Sequence, residues 1–508
     1  MMHSPEVDLA KLGHSRRFEE LRDFLRSSGY SDESVKRRFH LAQAEDFEMD
    51  RKKRNPVPEA GSAADVLADV FLAGEAAQLN TFRDSVGADK LSILEGMGLL
   101  QCDPGAEKCY ATVALYPVGD LYIISDRWSS YDGSQFSWPE DVVYPAFIPN
   151  TRLFLRHLPD GRGDKFLDLC GGTGIAALLA ARGGWQKAWS GDISDRSTRF
   201  AEFNRQLNDI LNVQTVTSDL YQGFESCRYD AISAHPPYVP TLQPKWVFFS
   251  GGRDGEEITR RIVEGLPDHL NEGGIFMALT MGSDRSGHPF EHRVREWLGS
   301  QGKEFDVAFL VHKEIDPQEF ALRSNRETFR AREEADLWKQ LFGSLEIESL
   351  VYGFLCIQRR SGANRTFTVR RQVLPAAGRS PWEWLLCWES AAVSETLGSI
   401  ILNSPLHAPE RTDFVVQHRL EHGRWTPSSY RLQTEYPFNM ECSIQPWMAH
   451  MISLCDGKAT GEDVLSVLLQ NEVLPHATPR VEFAHAVASL VSGGFVEVEG
   501  FRLPQAAK

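Results

Sequence analysis

The chain has no C-x-x-C pair, no run of 18 apolar residues, no internal repeat and no low-complexity tract. Its eight cysteines are scattered at 102, 109, 170, 227, 356, 387, 442 and 455. The Cys102/Cys109 spacing fits no common zinc pattern, so no metal is expected. A reduced, cytoplasmic compartment is the simple reading of that cysteine usage. Without a long apolar run nothing is expected to span a membrane. The opening Met1-Met-His-Ser-Pro-Glu-Val-Asp8 lacks the apolar core of a secretion signal. Positive charge is also short: 54 Lys and Arg stand against 70 Asp and Glu, a net charge of −16. That argues against a broad electrostatic grip on nucleic acid. The one basic cluster, Arg51-Lys-Lys-Arg54, reads as a solvated helix end.

What remains is a soluble globular composition, 42% hydrophobic and 24% charged. At 508 residues the chain is too long for one ordinary core. Three regions are expected: 1–139, 140–360 and 361–508. In the first, helices are read over Ala63–Leu79 and Val86–Leu100. Strands follow at Ala111–Tyr116 and Asp120–Ser125 around Pro117-Val-Gly119. Helices followed by a hairpin suggest a winged-helix-like module, with a packing or dimerisation role that leaves a homodimer open. The aromatics Trp128, Tyr131, Phe136 and Trp138 suit either a substrate lid or interdomain packing. From 140 to 360 strands alternate with helices, the mark of an α/β domain with a sheet covered on both faces. Strands are read at 165–170, 187–193, 213–218, 229–234, 275–281, 305–311 and 346–358. The last region, α+β and again winged-helix-like in outline, is rich in Trp. In it Asp456–Thr460 reads as a turn with Thr460 capping the next helix.

The chemistry sits in the middle region. Lys165 to Cys170 is an apolar strand, Gly171, Gly172 and Gly174 form a tight loop, and Ile175 to Arg182 is a helix. Strand, glycine loop and helix N-terminus bring backbone amides close to a ligand. Asp168, Asp192 and Asp219 fall at successive strand ends, in Asp168-Leu-Cys170, Ser190-Gly-Asp-Ile193 and Thr217-Ser-Asp-Leu220. Asp192 is placed to take a ribose diol, and Asp219 with Leu220 to meet an adenine edge. A helix cap is the bland alternative for each acid alone. An acid ahead of the loop suits a sulfonium or ammonium and repels pyrophosphate, so S-adenosylmethionine fits better than a dinucleotide. About 60 residues on, Tyr229-Asp-Ala-Ile-Ser-Ala-His-Pro-Pro-Tyr238 is a strand that ends in a rigid turn.

These stretches, with Ser250-Gly-Gly-Arg-Asp-Gly255, resemble the class I S-adenosylmethionine-dependent methyltransferases, above all the release-factor glutamine methyltransferase branch. The resemblance covers about 140–360 and implies a Rossmann-like seven-stranded sheet with an antiparallel last strand. It also implies that Asp168, Cys170, Gly171, Gly172, Gly174, Asp192, Ile193, Asp219 and Leu220 hold the cofactor. His235, Pro236 and Tyr238 would then clamp the acceptor. Flanking regions like these resemble those of uncharacterised bacterial methyltransferases of similar length.

Two positions depart from the family pattern. Cys170 replaces a loop glycine, and His235 replaces the Asn of the Asn-Pro-Pro-Tyr clamp. A neutral His235 can accept one hydrogen bond and help the Pro236 carbonyl hold an amine or amide of a protein or small molecule. It can instead serve as general base in a small-molecule O-methyltransferase. A non-catalytic cofactor-binding regulator is the third reading. Asp254 is expected to cap the helix that follows it.

Overall fold

The computed structural model describes all residues except 1–6, 51–52, 56–58, 104, 131–135, 137, 162, 225–226, 244–245, 325–330, 362–364, 375–376 and 505–508. Its contacts group into two units, Met1–Leu270 and Asn271–Lys508.

The first unit is organised around a parallel sheet. β1 (Lys165–Leu169) is buried over Phe166–Leu169, as its unbroken apolar run requires. It pairs with β2 (Lys187–Asp192) on one side and β4 (Tyr229–Ala234) on the other, and β3 (Val213–Thr217) lies beyond β2. All these pairings are parallel. The chain thus leaves β1 toward β2 and β3 and later returns to its opposite flank at β4. Such a reversal opens a crevice at the carboxyl ends of the strands. The helix Ile175–Arg182 after β1 is apolar nearly all round, Ile-Ala-Ala-Leu-Leu-Ala-Ala-Arg, and buries five of its residues.

The N-terminal part begins with helices Phe18–Ser27 and Asp32–Phe39. The continuous helix expected over 63–79 breaks up. Ala63–Leu67 passes into a π-turn at Ala68–Leu72, Gly74 takes φ 72°, and strand Ala77–Gln78 precedes helix Leu79–Val86. That strand joins Lys108–Ala111 and Leu100–Asp103 in a three-stranded sheet. Cys102 and Cys109 face each other across it and are disulfide-bonded, which corrects the reading of all eight cysteines as reduced. The expected hairpin forms separately, as Ala114–Val118 with Leu121–Ser125. It is fastened to helix Asp195–Leu207 by two buried amides. Asn204 accepts from Ile124 N at 2.7 Å and donates to the carbonyls of Ile124 and Thr173. Asn208 accepts from Tyr122 N and donates to Tyr122 O.

The second unit carries β5 (Leu270–Arg285), β6 (Phe305–Ile315), β7 (Ile347–Arg359) and β8 (Thr368–Gln372). β7 runs antiparallel to both β5 and β6, and β8 pairs parallel with β6. The sequence reading had no strand at β8. Its Arg370 forks onto Asp284 at 2.6 Å and also meets Glu291. Beyond it the tryptophans are mostly core: Trp384 donates to Phe501 O and Trp388 to Ser492 Oγ. Residues 456–460, expected as a turn, form a strand, and Thr460 caps Gly461–Gln470 in a reciprocal box with Asp463. No single described helix is long and apolar enough to cross a membrane.

Candidate active site

Asp168, next to the last residue of β1, is buried and accepts a 2.7 Å hydrogen bond from Ser233 Oγ near the end of β4. Burial pushes its carboxyl up to about 7. The Ser233 bond opposes the shift and the charge of Asp192 adds to it. The chain then turns through Cys170, Gly172 and Gly174, with φ of 57°, 53° and 77°. Gly171 has no positive φ, but a Cβ there would lie 2.2 Å from Ser190 Oγ. One on Gly174 would lie 2.8 Å from Ala201 Cβ. Glycine therefore lets the loop sit against β2 and the following helix. Gly174 precedes the helix Ile175–Arg182 with no side-chain cap on it, so amides of the first turn have no side-chain partner there.

Asp192 ends β2. Its Oδ2 accepts from Gly172 N and its Oδ1 from Ser194 N, both at 2.9 Å. Burial raises its pKa despite these bonds. Ile193 beside it is 56% exposed. Asp219, expected to meet the adenine edge or its neighbouring backbone, has a partner of its own. Arg261 Nη2, from helix Glu257–His269, donates to it at 2.8 Å. Leu220 turns through φ 51°. The Cys170 thiol is pushed well up by burial and by the nearby carboxylates, so it is a neutral packing group.

His235 follows β4 and stands between two rings: Phe154 at 5.2 Å and Tyr238 at 5.7 Å between centroids. Burial lowers its pKa to about 4, so it is neutral at pH 7. Tyr238 Oη accepts from Asn150 Nδ2 at 3.3 Å. Asp254 accepts from Glu256 N at 3.0 Å, ahead of the helix Glu257–His269; Glu256 is the N-cap and no side chain caps this helix, which corrects the cap expected of Asp254.

Eleven of the twelve residues singled out in the sequence line one cavity of about 940 Å³. Gly174 alone stands behind its wall. Arg261, Phe154 and Asn150 were not foreseen, and neither were the rings of Tyr144, Trp246, Phe248 and Phe249 that complete the lining. The aromatic run Trp246-Val-Phe-Phe249 is the signal that was available. Trp138 packs on Tyr144, Trp246 and Phe248, while Trp128 packs on Phe47 and Phe147. Tyr131 lies outside the described residues.

Among the described residues no Lys or Arg pairs with Asp168 or Asp192. Two carboxylates with raised pKa beside a glycine cradle suit a ligand that brings a positive charge and a diol. They would repel a pyrophosphate.

The family model "Methyltransferase small domain" matches residues 147–286. A protein of Methanocaldococcus jannaschii described as a "putative protein N5-glutamine methyltransferase" is 30% identical over 154 residues, 29% of this chain and 76% of that protein. The release factor glutamine methyltransferase of Thermodesulfovibrio yellowstonii is 32% identical over 34% of this chain and 64% of its own length. The ribosomal protein uL3 glutamine methyltransferase of Bradyrhizobium diazoefficiens is 29% identical over 30% of this chain and 52% of its own length. The chain thus spans between about half and three quarters of these relatives.

Proposed function

This chain belongs to the class I S-adenosylmethionine-dependent methyltransferases, near the protein glutamine methyltransferase branch, and on that premise we propose that it methylates an amide or amine nitrogen held at the His235-Pro-Pro-Tyr238 turn. The observation that carries this is His235 itself, neutral, stacked on Tyr238 and beside the tilted ring of Phe154 at the wall of the cofactor's cavity. The fold we assign is the Rossmann-like methyltransferase sheet of seven strands with β8 added beside β6, in a chain of three regions divided near 139 and 360.

When bound, the cofactor supplies an electrophilic methyl on sulfur, which leaves as the thioether S-adenosylhomocysteine. In our reading Asp192 takes the ribose diol, the Gly171–Gly174 loop lies along the amino-acid part, and Asp168 faces its ammonium. Ile193 and Leu220 flank the adenine, with Asp219 steadied by Arg261. One nitrogen of the His235 imidazole accepts an N–H from the acceptor, and the Pro236 carbonyl takes another. Tyr238 would lie over the acceptor plane and so help to turn the nitrogen lone pair toward the cofactor's methyl. The gain is positioning. The nitrogen loses its proton to solvent, because a group with a pKa of about 4 holds a proton poorly at pH 7.

A His235→Asn variant tests the proposal. An amide keeps a hydrogen-bond acceptor at the clamp, so transfer should persist within about tenfold, with a rate flat between pH 6 and 8. Loss of most of the rate would instead favour O-methylation with His235 as base.

A further inference from the structure

The glycine loop and the three acids account for part of the cavity's lining. Rings line it as well. Val247 N donates to Glu140 O at 3.0 Å, which ties segment 246–249 to segment 140–148. Val239 N donates to Phe249 O at 3.2 Å, which ties the same segment to the clamp turn. Tyr144 and Phe248 stack at 4.6 Å, 15° from parallel. Trp246 stands 6.2 Å from Phe248 and 6.3 Å from Phe249. Phe249 is 38% exposed and Val247 46%. The clamp adds further rings to the same cavity: His235 stacks on Tyr238 at 22° and is tilted 31° to Phe154.

A folded chain seldom leaves clustered rings uncovered without a ligand for them. A glutamine side chain is thin and mostly polar, and would leave this wall wet. Pockets of roughly 300–1,000 Å³ enclose drug-sized ligands, so about 940 Å³ gives room for the cofactor and a second planar body. From this wall, and resting on the methyl-transfer reading above, we propose that the acceptor is a small aromatic molecule that carries the reacting amide or amine. Its ring system lies against Tyr144, Trp246, Phe248 and Phe249, and its nitrogen reaches His235.

Calorimetric titration of the full chain loaded with S-adenosylhomocysteine tests this. The probes are quinoline-3-carboxamide and N-acetylglutamine amide, which share a primary amide and differ in the aromatic body. The quinoline should bind at least tenfold tighter. Phe249→Ala and Phe248→Ala should each weaken it by roughly tenfold and leave the Kd for S-adenosylhomocysteine unchanged. Phe249 is part-exposed, so its variant keeps the test valid if Phe248→Ala fails to fold. Equal binding of the two probes, or quinoline binding untouched by Phe249→Ala, would overturn the aromatic acceptor while the methyltransferase reading stands. Wild-type protein that does not bind S-adenosylhomocysteine would overturn both.

Discussion

Between its ordinary value of 3.8 and its raised value of about 7, Asp168 is ionised in the unfolded chain and protonated in the folded, ligand-free protein. The unfolded state then holds fewer protons, so stability falls as pH rises through this window and levels off above it. Asp168→Asn should therefore raise Tm at pH 8 relative to wild type and abolish cofactor binding. A cationic cofactor needs the carboxylate, so binding near pH 6 should release a proton. Calorimetry in buffers of different ionisation enthalpy measures that release, and proton uptake would contradict it. Gly171→Ala should cost about 10²-fold in turnover, because its Cβ meets Ser190 Oγ. Adding Ser190→Gly should recover part of the loss. No recovery would mean that the loop fails for another reason. The acids and glycines were legible because each lies next to its strand end in sequence. Arg261 was not, because its bond to Asp219 spans 42 residues.

Among the elements, the hairpin Ala114–Ser125 shows how the N-terminal part supports the site. Asn204 satisfies the Ile124 backbone and also the Thr173 carbonyl inside the glycine loop. Asn204→Leu leaves these buried groups unpaired and should cost about 2–4 kcal/mol in denaturant unfolding. It should also weaken cofactor binding, since Thr173 is freed. Unchanged affinity would show that the loop does not depend on the hairpin. The strands β1 to β7 lie close to the apolar runs that announced them. The hairpin Ala114–Ser125 was legible too, but other strands did not announce themselves. β8 reads Thr-Val-Arg-Arg-Gln and is held by Arg370 on Asp284 and Glu291 rather than by apolar contact. The hairpin Asp413–Glu421 with Arg424–Thr434 is largely exposed, with Trp425 at 69%, and carries no buried alternation to read.

For the whole molecule, composition bounded the class well and the partner poorly. A net charge of −16 leaves little for a polyanion to grip, which agrees with a protein or small-molecule acceptor. Of the two, the aromatic wall favours the small molecule. The high Trp content of 361–508 serves packing in part, since Trp382, Trp384 and Trp388 are core. The Cys102–Cys109 bond was hidden because a seven-residue spacing acquires meaning only once two strands pair.

Transfer of tritiated methyl from S-adenosylmethionine into an extract of the source cells, separated into proteins, nucleic acids and small molecules, tests the central claim most directly. An Asp192→Ala protein is the blank. The account predicts N-methyl label in the small-molecule fraction that disappears with Asp192→Ala. Label that persists in the blank, or no label from a protein that binds the cofactor, would contradict it.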